Sequence, residues 1–188
     1  MKHRSYASAF LACAFVLGAG TASFAQQTST AAAGTTPAAG SSALTDKKEL
    51  RLKACGTEKV NYSANTDKQN HPTPDAPADK AMIYVLRPTM IGFKINSKLA
   101  VDGEWKGVNR GKTYFFFTVE PGERNFCSES ENQDYLSMTV EAGKTYFLQQ
   151  KVEMGMWKAR TNLVTMTDAE GRKKLADVNL SVFEKKAK

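Results

Sequence analysis

Cys55 and Cys127 stand 72 residues apart in the body of the chain, and what they do depends on the compartment. Under oxidising conditions the pair closes a disulfide, whereas under reducing conditions it stays as two separate buried thiols. Two cysteines do not complete a metal's ligand set. His71, beside Pro72, is the histidine left once His3 is set aside with the leading segment. A general base needs partners held at fixed distance, and none is placed around His71 by spacing, so it reads as an exposed loop histidine. Ser128 and Ser130 have no neighbouring histidine, and a Ser-His-Asp arrangement would have to recruit His71. Asp102, Glu104, Glu120, Glu123, Glu129 and Glu131 are numerous enough to supply the two carboxylates a glycosidase uses, which keeps a polymer hydrolase as the alternative function. Scattered methionines (82, 90, 138, 154, 156 and 166) are soft ligands in principle and core fillers in the ordinary case. Gly111 and Gly143 belong to no phosphate-loop pattern, and no cofactor motif is present.

One segment combines apolar bulk with charge. Residues 152–160 (VEMGMWKAR) set Met154, Met156 and Trp157 around Gly155, with Lys151, Lys158 and Arg160 on either side. At a hairpin tip this group is a candidate partner-binding site, Trp157 anchoring an acidic glycan, an anionic lipid surface or a protein groove. The competing reading folds the segment back to cap the core. Further cations (Lys94, Lys98, Lys106, Arg110, Lys112 and Lys144) are interleaved with Trp105 and Tyr114. In a cytosolic chain such a pattern suits nucleic acid, a partner that an export signal argues against.

That signal stands at the start of the chain. Lys2, His3 and Arg4 precede an uncharged apolar run over 7–20, and Ser23, Phe24 and Ala25 place small residues where a signal peptidase reads them. The run is shorter than the roughly 20 residues of a membrane span, so residues 1–25 are expected to be removed, leaving no transmembrane anchor and a periplasmic or secreted protein. The formal charge of +7 then falls to +5, since Lys2 and Arg4 leave with the signal. In that oxidising setting the disulfide between Cys55 and Cys127 becomes the expected state, contributing about 4 kcal/mol by closing its loop.

Residues 26–45, rich in Ala, Thr, Ser and Gly and free of charge, read as a flexible tether. Residues 46–79 form an N-terminal extension. It opens with a short helix through Lys53, capped by Asp46 and Glu49, and ends in a connection containing Pro72, Pro74 and Pro77. From Lys80 the texture is that of strands: 81–86, 98–101, 104–108 after the Asp102-Gly103 turn, 113–119, 124–128, 136–140, 145–152 and 158–166. A helix over 168–176, capped by Thr167 or Asp168, and a last strand through Val178, Leu180 and Val182 complete a domain over 80–183, followed by a basic tail over 184–188. The expected class is all-β, an immunoglobulin- or transthyretin-like β-sandwich with a short C-terminal helix.

The succession AMIYVLRP, VDGEWKG, YFFFTVEPGERNFC, LSMTVEAGKTYFLQQ and VEMGMWKARTNLVTMTDAEGRKKL resembles the bacterial Domain of Unknown Function family 2846 over roughly 80–182. Its VDG, PGE and EAGKTYF pieces are also similar to exported PEGA-like modules. The resemblance implies an envelope-associated β-sandwich with no assigned reaction and no catalytic residues to carry over. The function expected on these grounds is a non-catalytic binding or structural module of the cell envelope, its partner an envelope polymer, an anionic surface or an envelope protein. The alternative is an unrecognised hydrolase of an envelope polymer.

Overall fold

The computed structural model describes residues 40–154 and 159–186. The expected signal segment, most of the tether, and Met156, Trp157 and Lys158 of the expected tip lie outside the described residues. In chain order the elements are α1 (Gly40–Cys55), β1 (Tyr62–Asp67), β2 (Ala81–Arg87), β3 (Ser97–Val101), β4 (Glu104–Asn109), β5 (Thr113–Val119), β6 (Gly122–Glu129), β7 (Gln133–Val140), β8 (Thr145–Met154), β9 (Ala159–Met166), α2 (Asp168–Leu175) and β10 (Asn179–Lys185). They make a β-sandwich, one sheet ordered β1-β10-β5-β2-β8-β9 and the other β4-β3-β6-β7. No helix among the described residues is long and apolar enough to cross a membrane.

Every residue of β2 is buried, as its unbroken apolar run requires, because the six-stranded sheet is covered on both faces. Toward the second sheet, Ile83, Val85, Phe115 and Leu148 pack against Leu99, Val101, Phe126 and Val140. On the outer face, Tyr84, Leu86, Tyr114 and Phe147 are covered by Leu175 of α2, by Val178 and by Ala76 of the proline-rich connection. Two phenols tie that connection down: Tyr84 Oη donates to the Pro74 carbonyl at 2.5 Å and Tyr114 Oη to the Pro72 carbonyl at 2.9 Å. The helix α2 starts as expected, with Thr167 and Glu170 closing a reciprocal capping box. Its Gly171 lies so close beneath Phe147 that a Cβ there would come within 2.1 Å of the ring.

Three boundaries differ from the sequence reading. The helix α1 begins at Gly40, inside the segment read as a tether. Once a helix is nucleated, each added residue costs little, so weak helix formers are drawn in ahead of the expected cap. A strand, β1, forms where only an extension was expected. Asn65 and Asp67 are poor strand formers, and the strand exists because β10 offers it an antiparallel partner, from Tyr62 opposite Lys185 to Asp67 opposite Leu180. That pairing also draws Glu184 and Lys185, expected in the basic tail, into the sheet.

A wholly buried polar layer lies between the sheets. Gln150 Nε2 donates to Ser128 Oγ at 3.0 Å and to the Lys98 carbonyl at 3.1 Å, Asn109 Nδ2 donates to Gln150 Oε1 at 3.1 Å, and Ser128 Oγ meets Thr161 Oγ1 at 2.8 Å. Beside it the guanidinium of Arg87, fully buried, donates to the carbonyls of Ile91 (2.9 Å), Gly92 (2.6 Å) and Ile95. Burial, with the nearby charge of Arg110, pushes Arg87 down to about 10, which leaves it a cation at neutral pH.

Candidate functional site

The outer face of the four-stranded sheet carries α1. The helix is pinned there by the disulfide between Cys55 and Cys127, whose Cα atoms are 5.1 Å apart, and Ala54 packs with both cysteines and Ala100. After Cys55 the chain turns at Gly56 and runs along the sheet edge through Val60. A groove of about 560 Å³ opens between the helix, this returning segment and the sheet.

The groove is built on helical spacing. Lys48, Arg51, Leu52 and Cys55 stand at i, i+3, i+4 and i+7, so one face of α1 forms its wall. Trp105 of β4 and Lys98 of β3 line the opposite side. Trp105 is fixed by its indole N–H, which donates to the Glu58 carbonyl at 2.9 Å. Lys98 Nζ sits 4.8 Å from the centre of the Trp105 ring, donates to the Val60 carbonyl at 3.0 Å and pairs with Glu129 at 2.5 Å. Its charge is therefore spent on structure. By contrast, Lys48, Arg51 and Lys59 are exposed and form no ion pair among the described residues. A hollow of about 340 Å³ shares Lys48, Arg51 and Gln133 with the groove and adds Lys47 and Tyr135. Burial raises the Tyr135 phenol; Arg51 partly offsets this, while Glu129 and Asp134 add to it. The combination is a concave cationic channel with two aromatic surfaces, suited to an anionic chain with planar or sugar-ring faces.

A second cavity, of about 380 Å³, collects three of the carboxylates marked in the sequence, Asp102, Glu104 and Glu120. Each is answered by a cation: Arg124 with Asp102 at 3.0 Å, Lys106 with Glu104 at 2.7 Å and Lys80 with Glu120 at 2.8 Å. Burial pushes the Asp102 carboxyl up, but the Asn125 amide and the side chains of Arg124 and Asn125 outweigh it and hold the group below its ordinary value. A carboxyl held ionised in this way does not serve as the protonated acid that glycoside cleavage begins with. Glu123 pairs with Lys53 at 3.7 Å on the surface, and Glu129 belongs to the cationic groove.

The remaining sequence candidates separate. Ser128 is fully buried against Gln150 and Thr161, out of reach of a substrate. His71 is exposed, its ring 4.9 Å from that of Tyr114. Among the described residues no group of His, Cys, Asp or Glu is placed to hold a metal ion. Of the expected tip, Met154 is 62% exposed and Arg160 is exposed, at the end of the β8–β9 pair where Glu153 stands opposite Arg160. Sequence reasoning noticed Trp105 and Lys98 only as members of a scattered series, and it missed Lys48, Arg51 and Lys59 altogether. The period-three and period-four spacing of Lys48, Arg51 and Cys55 was the available signal.

The family model described as "Protein of unknown function (DUF2846)" matches residues 77–162. An uncharacterized protein of Haemophilus influenzae (strain ATCC 51907 / DSM 11121 / KW20 / Rd) is 30% identical over 137 residues, covering 71% of this chain and 79% of its own. No solved structure matches the chain.

Proposed function

The chain belongs to the DUF2846 family of proteins of unknown function, and we propose that it is an exported, non-catalytic binding module of the cell envelope that seats an anionic polymer in the groove beside α1. The observation that carries this reading is the set of three exposed cations, Lys48, Arg51 and Lys59, which form no ion pair among the described residues and stand around a concavity with Trp105 in its lining. Cations outside such pairs keep their attraction for a ligand, and an indole beside them adds a stacking surface for a sugar ring. Export is supported by the leading basic and apolar segment and is compatible with a disulfide between buried cysteines.

Titration with an oligogalacturonate, followed by calorimetry against neutral dextran, tests the reading. Binding of the polyuronate alone, weakened about tenfold or more when Lys48 and Arg51 are both replaced by Ala, is the expected result. Equal binding of the two polymers, or binding indifferent to those substitutions, would overturn it. Intact mass of the protein recovered from the envelope fraction should begin at Gln26; a full-length chain there would remove the export premise.

A further inference from the structure

The loop over 88–96, PTMIGFKIN, crosses the end of the sandwich from β2 to β3 and displays its apolar side chains outward. Met90 is 54% exposed, Ile91 52% and Phe93 50%. The cause is internal: the carbonyls of Ile91, Gly92 and Ile95 turn inward onto the guanidinium of Arg87, and the Ile95 amide closes a turn on the Gly92 carbonyl at 2.8 Å. Backbone drawn toward a buried cation leaves the side chains on the other side. The adjoining turn Arg110-Gly111-Lys112 is fastened to the same loop, Gly111 N–H donating to the Phe93 carbonyl at 3.2 Å and Lys112 N–H to the Thr89 carbonyl at 3.3 Å. These two segments contain Lys94, Arg110 and Lys112 and no acidic residue. Lys94 lies 5.6 Å from the centre of the Phe93 ring, so charge and apolar surface are contiguous.

We propose that this loop docks on an anionic lipid surface, with Met90, Ile91 and Phe93 entering the headgroup region and the exposed Lys94 and Lys112 meeting lipid phosphates. Three apolar side chains, each half exposed or more on a loop closed around Arg87, call for a partner that can open around them, and the boundary of a bilayer does so. The cations at their base match the charge of anionic headgroups and set the depth of entry. The β8 strand, parallel to β2, runs past it and brings the exposed Met154 to the same end of the molecule. The proposal is independent of the groove, which lies along α1.

Cosedimentation of the oxidised full chain with vesicles of phosphatidylcholine containing phosphatidylglycerol, and with vesicles of phosphatidylcholine alone, tests it. The comparison is between the parental chain and a variant carrying Met90→Asp, Ile91→Asp and Phe93→Asp, so any contribution of other segments is common to both. The expected result is binding to the anionic vesicles, reduced about tenfold or more in the variant. Undiminished binding by a variant that melts at the parental temperature overturns the proposal, as does equal binding to both vesicle types. If the triple variant does not fold, Lys94→Glu with Lys112→Glu, both at exposed positions, should weaken anionic-vesicle binding by a similar factor, and no change there overturns it. Absence of vesicle binding together with a concentration-dependent dimer that the Asp variant dissolves would assign the loop to a second copy of the chain instead.

Discussion

Gly56 and Gly103 meet backbone to backbone: a Cβ built on Gly56 would lie 2.5 Å from the Gly103 carbonyl oxygen, and the Gly103 N–H donates to the Ala54 carbonyl at 3.1 Å. The contact seats the C-terminus of α1 on the β3–β4 turn, beside the cationic groove that Gly56 lines. Gly56 also has φ +66, a conformation that side chains resist. Gly56→Ala should therefore cost about 2 kcal/mol or more, through strain and through displacement of the helix, and should weaken polyuronate binding in parallel. Urea unfolding measures the first and calorimetry the second; an unchanged urea midpoint would show that the turn yields freely.

The disulfide makes the same attachment covalent. Replacing Cys127 with Ser should lower stability by about 4 kcal/mol, because the unfolded chain regains the freedom of a loop 72 residues long. Thermal melts of the parental protein with reductant should approach those of the variant without it. Peptide mapping without reduction should recover the Cys55 and Cys127 peptides joined, and free thiols at both positions in native material would refute the bond.

Asp102 gives an acid-side prediction. Its carboxylate accepts from the Asn125 backbone N–H at 2.9 Å, from Asn125 Nδ2 at 3.2 Å and from Arg124 at 3.0 Å, and it is held below its ordinary value. Folding therefore favours the ionised form. The resulting stability is present above the ordinary aspartate value and is lost as pH falls through the lowered one. Asp102→Asn suits the left-handed backbone here, φ 49, and should cost about 1 kcal/mol at neutral pH and little at acid pH. A cost independent of pH would show that the charge is irrelevant.

At the alkaline end, Tyr84 and Tyr114 are both pushed up from 10.0 to about 12, each chiefly by burial. Asp75 adds to the shift at Tyr84 and Arg172 opposes it; Tyr84 and Asp67 add to the shift at Tyr114. Folding favours the protonated phenols, so their contribution is whole below pH about 10 and is lost as pH rises through about 12. The double variant Tyr84→Phe with Tyr114→Phe should lose about 1 kcal/mol per hydrogen bond at neutral pH and show a flatter stability profile across that alkaline window. Unfolding followed by circular dichroism against pH reads both effects.

The link between β8 and β9 yields a last test. For Trp157→Ala, stability within about 0.5 kcal/mol of the parent together with reduced retention in the envelope fraction would support a partner-binding tip. A loss of about 3 kcal/mol or more would instead identify Trp157 as a cap on the core.

The strands from Ala81 to Met166 were legible in the sequence because each pairs an apolar run or alternation with a turn that local chemistry enforces. The Asp102-Gly103 turn is an example, both residues taking positive φ as a type I′ hairpin needs. The capping box of α2 was equally local. Features that depend on neighbours a few residues away could be read directly: the strand runs behind the all-β class, the turns, the helix cap and the family resemblance. The remaining features arise from contacts between distant segments. YSANTD becomes β1 through pairing with β10 more than a hundred residues later. Arg87 closes a loop only because folding buries its guanidinium among that loop's carbonyls. The groove depends on Cys55 reaching Cys127 and on Gly56 meeting Gly103, contacts that assemble Lys48, Arg51 and Trp105 from distant segments. Local propensity carries no information about which distant surfaces will meet, because that is settled by burial and packing of the whole sandwich.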